Sequence, residues 1–273
     1  GAGPVGAGPE LHEDTRMTPP ASGSDTVTAA LLIIGDEILS GRTHDKNLPY
    51  LGRRLNDLGV RLAEVRVVAD DREAIVAAVN TLRARHQYLF TTGGIGPTHD
   101  DITAECIAAA LDRELIEHPQ ARAILDARYG PEGLTPGRLR MARTPEGAEI
   151  VENPVSKVPG FKIGNVYVLA GIPEVMQGMF ESLAHELVGG APLLSATVVV
   201  ALPEGDLAQP LGELQARYPD VGMGSYPFFG QHRYGASLVL RATDRDRLLA
   251  ARGELVALVR AMGAEPEIGD DPA

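Results

Sequence analysis

The chain has 273 residues, 44% of them hydrophobic, which is enough apolar material for one sizeable domain and a small one. Its formal net charge of -12 argues against a nucleic-acid-binding surface, because such surfaces neutralise phosphates with lysine and arginine. The single cysteine excludes an internal disulfide and predicts a reducing, cytoplasmic compartment. No apolar run approaches the roughly 20 residues that cross a bilayer, so we expect no membrane contact.

Residues 1–25 are rich in glycine, proline and polar residues and show no hydrophobic periodicity. Such a segment cannot bury enough apolar surface to offset the entropy lost on ordering, so it is predicted to be disordered. It also lacks the apolar centre of a secretory signal. Two origins fit this segment: a natural tail, or an added tag that precedes a natural start at Met17.

Strand and helix signals alternate between residues 26 and 190. Short apolar runs predict strands at Val27–Ile34, Val60–Val68, Tyr88–Thr92 and 165–169. Apolar residues at helical spacing predict helices between these strands. The alternation predicts an α/β domain with three layers, in which helices cover both faces of a mostly parallel sheet.

Polar residues mark where some of these helices begin and end. Asp45 or Asn47 is a predicted N-cap for the helix after the first strand, and Gly59 is its predicted C′ residue. The spacing from Asp70 to Glu73 predicts a capping box for the next helix.

The pattern changes after 189–192, where we predict a domain boundary. Residues 191–273 follow the order β-α-β-β-α, which resembles the split β-α-β sandwich of the ferredoxin-like kind. The sequence therefore predicts a disordered tail or tag (1–25), an α/β domain (26–190) and a small α+β ferredoxin-like appendage (191–273).

The most informative loop is TTGGIGPTHDDITAE, which follows the third predicted strand. Ligands of open parallel sheets bind beyond the carboxyl ends of the strands. Closely spaced glycines let backbone amides approach a ligand, and with the next helix N-terminus they predict a phosphate site; a tight turn is the alternative. The residues predicted to bind the ligand here are Thr92, Gly93, Gly94, Gly96, Pro97, Thr98 and Thr103.

Carboxylates follow the glycines of this loop. Asp100 and Asp101 are adjacent, and Glu105 lies at helical spacing from Asp101. Carboxylates beside a phosphate repel it unless a divalent cation bridges the two, so Asp100, Asp101 and Glu105 are predicted metal ligands. The alternative is that Asp100 or Asp101 is only the N-cap of the helix predicted over 102–111.

Two further loops leave predicted strand ends, GDEILSGRTHDKN after the first strand and AGIPE after 165–169. Each could also be an ordinary solvated turn. Their predicted ligand-binding residues are Gly35, Asp36, Glu37, Asn47, Gly171, Pro173 and Glu174.

The three loops, in this order, resemble those of the molybdopterin-binding (MoaB/Mog-type) domain, over about residues 26–187. The most similar form is the N-terminal domain of CinA-like competence/damage-inducible proteins and of eukaryotic FAD synthase. The resemblance implies the α/β fold, a phosphorylated pterin (molybdopterin) or nucleotide as ligand, and a homo-oligomer. It also implies two essential aspartates, which fall on Asp45 and Asp101.

The glycine loop departs from the Mog type. Mog-type loops usually have threonine where this chain has Ile95, and basic residues where it has His99 and Asp100. The CinA and FAD-synthase branch implies a pyrophosphatase that uses a divalent metal (Mg²⁺ or Co²⁺) to cleave ADP-ribose or FAD. Nothing after Gly190 resembles the deamidase or adenylylating domains of these relatives. Pyrophosphate hydrolysis is our leading hypothesis, with a non-catalytic pterin- or nucleotide-binding module and a molybdopterin adenylyltransferase of molybdenum cofactor biosynthesis as alternatives.

Overall fold

The structure is a computed structural model that describes residues 26–229 and 234–270. The disorder predicted for residues 1–25 therefore lies outside the described residues. Within the described ranges, no helix is long and apolar enough to span a membrane.

The described residues form the following strands and helices. The strands are β1 (Val27–Ile34), β2 (Val60–Val68), β3 (Tyr88–Thr92), β4 (Leu115–Glu117), β5 (Arg143–Pro145), β6 (Glu149–Val151), β7 (Gly160–Ile163), β8 (Val166–Leu169), β9 (Leu194–Val200), β10 (Gly222–Phe229), β11 (Tyr234–Ala242) and β12 (Glu267–Ile268). The helices are α1 (Asp36–Leu39), α2 (Asn47–Asp57), α3 (Arg72–Arg85), α4 (Thr103–Ala110), α5 (Pro119–Gly133), α6 (Pro136–Arg140), α7 (Pro173–Leu183), α8 (Glu204–Arg217) and α9 (Arg245–Ala261), with a 3₁₀ turn at Ala184–Glu186.

The first sheet has six strands in the order β2-β1-β3-β8-β7-β6, and the first four run parallel. Leu31 and Ile33 of β1 pack in one core with α2 and α7. Leu32 and Ile34 pack in a second core with α3 and α4 on the opposite face. Burial on both faces explains the apolar run over residues 29–34 of β1. The predicted three-layer, mostly parallel α/β fold is confirmed.

One of the two predicted caps is wrong. Asp45 does bond the first turn of α2, because its Oδ2 accepts a hydrogen bond of 2.7 Å from the Leu48 amide, although Lys46 is the residue that directly precedes the helix. For α3, however, the cap is Asp71, whose side chain accepts a 2.8 Å bond from the Ala74 amide. The capping box predicted at Asp70 does not form because the helix starts one residue later than its spacing requires. This leaves the Asp70 side chain free for another contact.

The second sheet is antiparallel, in the order β10-β11-β9-β12, and packs against α8 and α9 around a core of its own. Numbered within this sheet, the strand order is 2-3-1-4, which is the split β-α-β arrangement. The ferredoxin-like appendage is thereby confirmed. The sequence pattern missed β12, because a strand of two residues is too short to show alternation.

The two sheets are joined where α2 turns into β2. The Gly190 amide donates a 2.8 Å hydrogen bond to Gly59 O, and an added Cβ on Gly189 would lie 1.8 Å from Leu58 O. The Asn56 side chain bonds both the carbonyl and the amide of Leu193, at 3.0 and 3.2 Å. This joint lies at the amino end of β2, away from the carboxyl ends where ligands are expected. The domain boundary at 189–192 stays a prediction.

Candidate functional site

The loops that follow β1, β3 and β8 meet at Gly93. Its amide donates a 3.2 Å hydrogen bond to Leu169 O, and a Cβ on it would lie 2.2 Å from Ile34 O. Its φ of +102° is also one that side chains disfavour. A Cβ on Gly171 would lie 3.3 Å from the Gly93 Cα. The loop that follows β8 and the end of β1 are thus packed backbone to backbone around this glycine.

Asn47 links the loop that follows β1 to the loop that follows β8. Its Nδ2 donates a 2.9 Å hydrogen bond to Gly171 O, and the residue is only 4% exposed. Its Oδ1, like the buried hydroxyls of Thr91 and Thr92, has no hydrogen-bond partner among the described residues. Buried polar atoms are normally paired, so these unpaired ones are unusual. Thr91 and Thr92 are neighbours in β3 and face opposite sides of the sheet, Thr91 with Leu32 and Thr92 with Ile33. Asn47 Oδ1 and the Thr92 hydroxyl therefore share the α2 and α7 face. They point to a partner that the protein chain does not supply.

Thr103 holds the glycine loop from inside the molecule. It is fully buried, its hydroxyl donates a 2.9 Å bond to Gly93 O, and its amide donates a 3.0 Å bond to Gly94 O. Because this hydroxyl is buried and already bonded to Gly93 O, it can affect a bound ligand only by fixing the conformation of the loop.

The Asp101 side chain stabilises the second half of the glycine loop, residues 96–101. Its Oδ2 accepts hydrogen bonds from the amide and the hydroxyl of Thr98, at 2.8 and 2.6 Å. A Cβ on Gly96 would lie 2.7 Å from the same oxygen, so the glycine makes room for the carboxylate. The alternative in which Asp100 or Asp101 caps the following helix is wrong, because α4 begins only at Thr103 and has no side-chain cap.

The three predicted metal ligands do not face one another. Glu105 forms an ion pair with Arg72 of α3, at 3.8 Å. Asp100 is exposed. Within the described residues, no group of three or more histidine, cysteine, aspartate and glutamate side chains is arranged to hold a metal ion. A cation here would need ligands from outside the chain.

Asp70 is a member of the site that the sequence did not reveal. Its Oδ2 accepts a 3.0 Å hydrogen bond from the Asp36 amide. Burial raises the pKa of its carboxyl, and the charges of Asp36, Glu37 and Asp100 raise it further. A rim of four carboxylates therefore borders the glycine loop. The available signal was position: Asp70 follows the end of β2 as Asp36 follows the end of β1.

Arg140 is a second residue missed in the sequence. Its Nη2 donates a 3.3 Å hydrogen bond to Asp101 O, and its Nε is buried without a partner among the described residues. Arg140 and Arg143 line a small cleft behind the loop, together with Gly94, Gly96 and Asp101. No local pattern could find Arg140, because it lies on α6, 39 positions from its contact.

The remaining predicted residues lie at the same edge of the sheet. The Gly35 amide donates to Val68 O at 3.1 Å, and Glu37 is exposed. Pro97 is exposed on the glycine loop. Pro173 opens α7, and Glu174 is exposed in its first turn. The fold therefore gathers the three loops, which are far apart in sequence, at one edge.

Residues 30–190 match the family described as "Probable molybdopterin binding domain", and residues 192–267 match "FAD synthase, middle domain". The chain belongs to the molybdopterin-binding domain family. The match covers the six-stranded sheet and its three loops, and the second match covers the antiparallel sheet.

Named relatives agree with this membership. A CinA-like protein of Anaeromyxobacter dehalogenans is 36% identical over 64% of this chain and 45% of its own length. A probable FAD synthase of Caenorhabditis briggsae is 29% identical over 91% of this chain and 52% of its own length. The solved protein CinA of unknown function from Thermoplasma acidophilum is 32% identical, with a TM-score of 0.57 over 60% of this chain and 99% of that one. The chain thus spans about half the length of these two sequence relatives.

Proposed function

We propose that this protein binds the pyrophosphate group of an adenine dinucleotide, ADP-ribose or FAD, at the carboxyl edge of the six-stranded sheet and hydrolyses it. The observation that carries the proposal is the pair of unpaired buried polar atoms, Asn47 Oδ1 and the Thr92 hydroxyl, beside a glycine loop. Relatives named FAD synthase and the match to its middle domain favour a dinucleotide over a free pterin.

In the proposed reaction, a water oxygen bonds to one phosphorus and the bridging P–O bond breaks, so that ADP-ribose and water give AMP and ribose 5-phosphate. Asp45 and Asp101 orient the attacking water and take up its proton. Both carboxylates are held in place through one oxygen, Asp45 by the Leu48 amide and Asp101 by Thr98. Gly94 and Gly96 bring the backbone close to the phosphates, and Arg140 adds positive charge behind the loop.

A divalent cation, Mg²⁺ or Co²⁺, would neutralise phosphate charge and lower the pKa of a bound water. Mg²⁺ binds through one or two carboxylates when substrate phosphates supply other ligands. Asp100 and Asp101 would hold such a cation together with the phosphates, whereas Glu105 is already paired with Arg72.

The test is AMP release from ADP-ribose and from FAD, with Mg²⁺ or Co²⁺. We expect turnover by the native chain and its loss in both Asp101→Ala and Asp101→Asn. Asparagine can still accept the hydrogen bonds from Thr98, so recovery of activity in Asp101→Asn would reduce Asp101 to a structural role. Asp126→Asn, which changes an exposed aspartate paired with Arg122, is the matched control and should keep full activity.

A non-catalytic binding module is the second candidate, because the described residues offer no ready cation site. Saturable binding of ADP-ribose or FAD without AMP release would establish it. Transfer of AMP from ATP to a pterin would instead establish an adenylyltransferase. Either result would overturn the hydrolase proposal.

A further inference from the structure

A fourth loop lies at the carboxyl edge of the six-stranded sheet. It is the segment between β6 and β7, residues 152–159, with the sequence ENPVSKVP, and we name it the lysine loop. Because β7 runs antiparallel to β8, the start of β7 lies beside the end of β8. The contact is close, since a Cβ added to Gly160, the first residue of β7, would lie 2.4 Å from Val168 O. The lysine loop therefore lies at the same edge as the glycine loop.

The two ends of the lysine loop contact parts of the molecule that border the site. Pro159 lines the small cleft behind the glycine loop. Val155 packs on α7, where its Cγ2 lies 2.9 Å from the position of a Cβ added to Gly178. Lys157 lies between these two contacts, two residues before Pro159. Its place along the chain is therefore fixed between the cleft and α7.

Asn153 holds the lysine loop in one conformation. It is buried, and its Oδ1 accepts hydrogen bonds of 3.0 Å from the amides of both Val155 and Ser156. Its Nδ2 donates a 2.7 Å hydrogen bond to Val158 O. Its backbone carbonyl accepts a 3.1 Å hydrogen bond from the Lys157 amide. These bonds fix the backbone of Lys157 and leave its side chain unused.

Lys157 has a backbone conformation that favours glycine. Its φ is +66°, in the left-handed region. One other non-glycine residue of the described ranges has a positive φ, Asp112 at +52°, and it follows the last turn of α4, where this conformation is common. Lys157 is exposed, and its ammonium has no hydrogen-bond or ion-pair partner within residues 26–229 and 234–270. The turn itself thus gives no reason for a lysine, and strain of this kind is often found at functional sites.

Charges are unevenly distributed along this edge of the sheet. Asp36 and Asp70 follow the ends of β1 and β2, on one side of the glycine loop, which follows β3. Lys157 precedes β7, on the other side, beyond β8. An ammonium attracts phosphate, whereas carboxylates repel it and accept hydrogen bonds from sugar hydroxyls. This distribution favours phosphates toward β7 and a sugar toward β1 and β2.

We infer that Lys157 binds a phosphate of the dinucleotide, and that the ribose hydroxyls of this ligand face Asp36 and Asp70. The inference rests on the proposed function and adds the direction in which the ligand lies across the glycine loop. The ammonium is a compact charge with three donors, which suits the oxygens of a pyrophosphate. Lys157 is thus a binding residue, and ligand binding is the reason for a lysine where the turn favours glycine.

Lys157→Gly tests the inference, because it removes the ammonium and relieves the positive φ together. We expect the midpoint of thermal unfolding to rise. Calorimetry should show the dissociation constants of inorganic pyrophosphate and of ADP-ribose raised at least about tenfold, the loss of one hydrogen bond to a charged group. Lys157→Arg keeps the charge and should bind both ligands nearly as the native chain does. Asp112→Gly, the matched control, should also raise the midpoint but leave both dissociation constants unchanged.

The two ligands separate this inference from the proposed function. Unchanged affinity for both ligands in Lys157→Gly would overturn the inference and leave the proposed function standing. Pyrophosphate binding that depends on Lys157, without binding of ADP-ribose, would keep the phosphate contact but overturn the choice of a dinucleotide. A lower unfolding midpoint in Lys157→Gly, with affinity that Lys157→Arg does not recover, would make Lys157 structural and overturn the inference. A native chain that binds neither ligand would overturn both.

Discussion

At the carboxyl end of the six-stranded sheet, a Cβ added to Gly93 would lie 2.2 Å from Ile34 O. At the amino end, a Cβ added to Gly59 would lie 1.8 Å from Gly190 O. Both glycines also have a positive φ, +102° and +71°. The two ends are therefore alike in backbone packing. They differ in the polar groups around the glycines.

At the amino end the polar groups are matched. Asn56 uses both its carbonyl and its amide on Leu193, and Gly190 donates to Gly59. At the carboxyl end Asn47 uses only its amide, and its carbonyl has no partner among the described residues. Tightly packed glycine thus marks a structural joint as readily as a ligand site. What separates the two is whether the polar groups are already paired.

The largest expected effect is at the joint. Gly59→Ala forces a Cβ against Gly190 O and strains a positive φ, so we expect the free energy of unfolding to fall by about 3 kcal/mol. Denaturant unfolding measures this. Gly253→Ala, in open space on α9, is the control and should stabilise the chain by about 0.5–1 kcal/mol. Equal effects from both substitutions would remove the evidence for a tight joint.

Asn56→Ala tests the matched polar groups. It removes two hydrogen bonds and leaves the Leu193 amide and carbonyl unpaired, so we expect a loss of about 1–2 kcal/mol in the free energy of unfolding. Differential scanning calorimetry should show it, with no change in ligand binding. A loss of dinucleotide binding in this variant would contradict the separation of the two ends.

Asn47→Ala is the corresponding change at the site. It removes one hydrogen bond to Gly171 but also removes an unpaired buried carbonyl, so the expected loss of stability is below about 1 kcal/mol. Dinucleotide affinity measured by calorimetry should nevertheless fall about tenfold, because the free carbonyl is the proposed ligand contact. If stability falls as far as in Asn56→Ala and affinity stays, Asn47 is structural.

The smallest effect is expected at Asp70. Its pKa is raised in the folded state, which favours folding below the ordinary aspartate pKa and disfavours it as pH rises through the raised pKa. Asp70→Asn should therefore stabilise the ligand-free protein slightly at pH 7, and this gain should vanish in acid. Unfolding at both pH values measures it. A gain that is the same in acid would exclude charge as the cause.

Much of the architecture follows from local patterns. Val27–Ile34 is predicted as a buried strand because it is apolar at every position except Thr28, and the structure has β1 at those bounds. Gly59 follows the end of α2 and Asp45 bonds its first turn, as the sequence predicts, because the ends of a helix depend on a few neighbouring residues. The short β12 and the cap at Asp71 escaped prediction, because two residues give no period and a helix start can shift by one residue.

The sequence by itself determined which loops are unusual: each follows a strand and combines glycine with carboxylates, and that combination needs no knowledge of the fold. Only the tertiary structure decided how their members are used. It paired Glu105 with Arg72, buried Thr103 beneath the loop, and brought Asp70 and Arg140 to the site from other elements. These contacts join residues distant along the chain, and their geometry depends on how the helices pack on the sheet rather than on any local spacing.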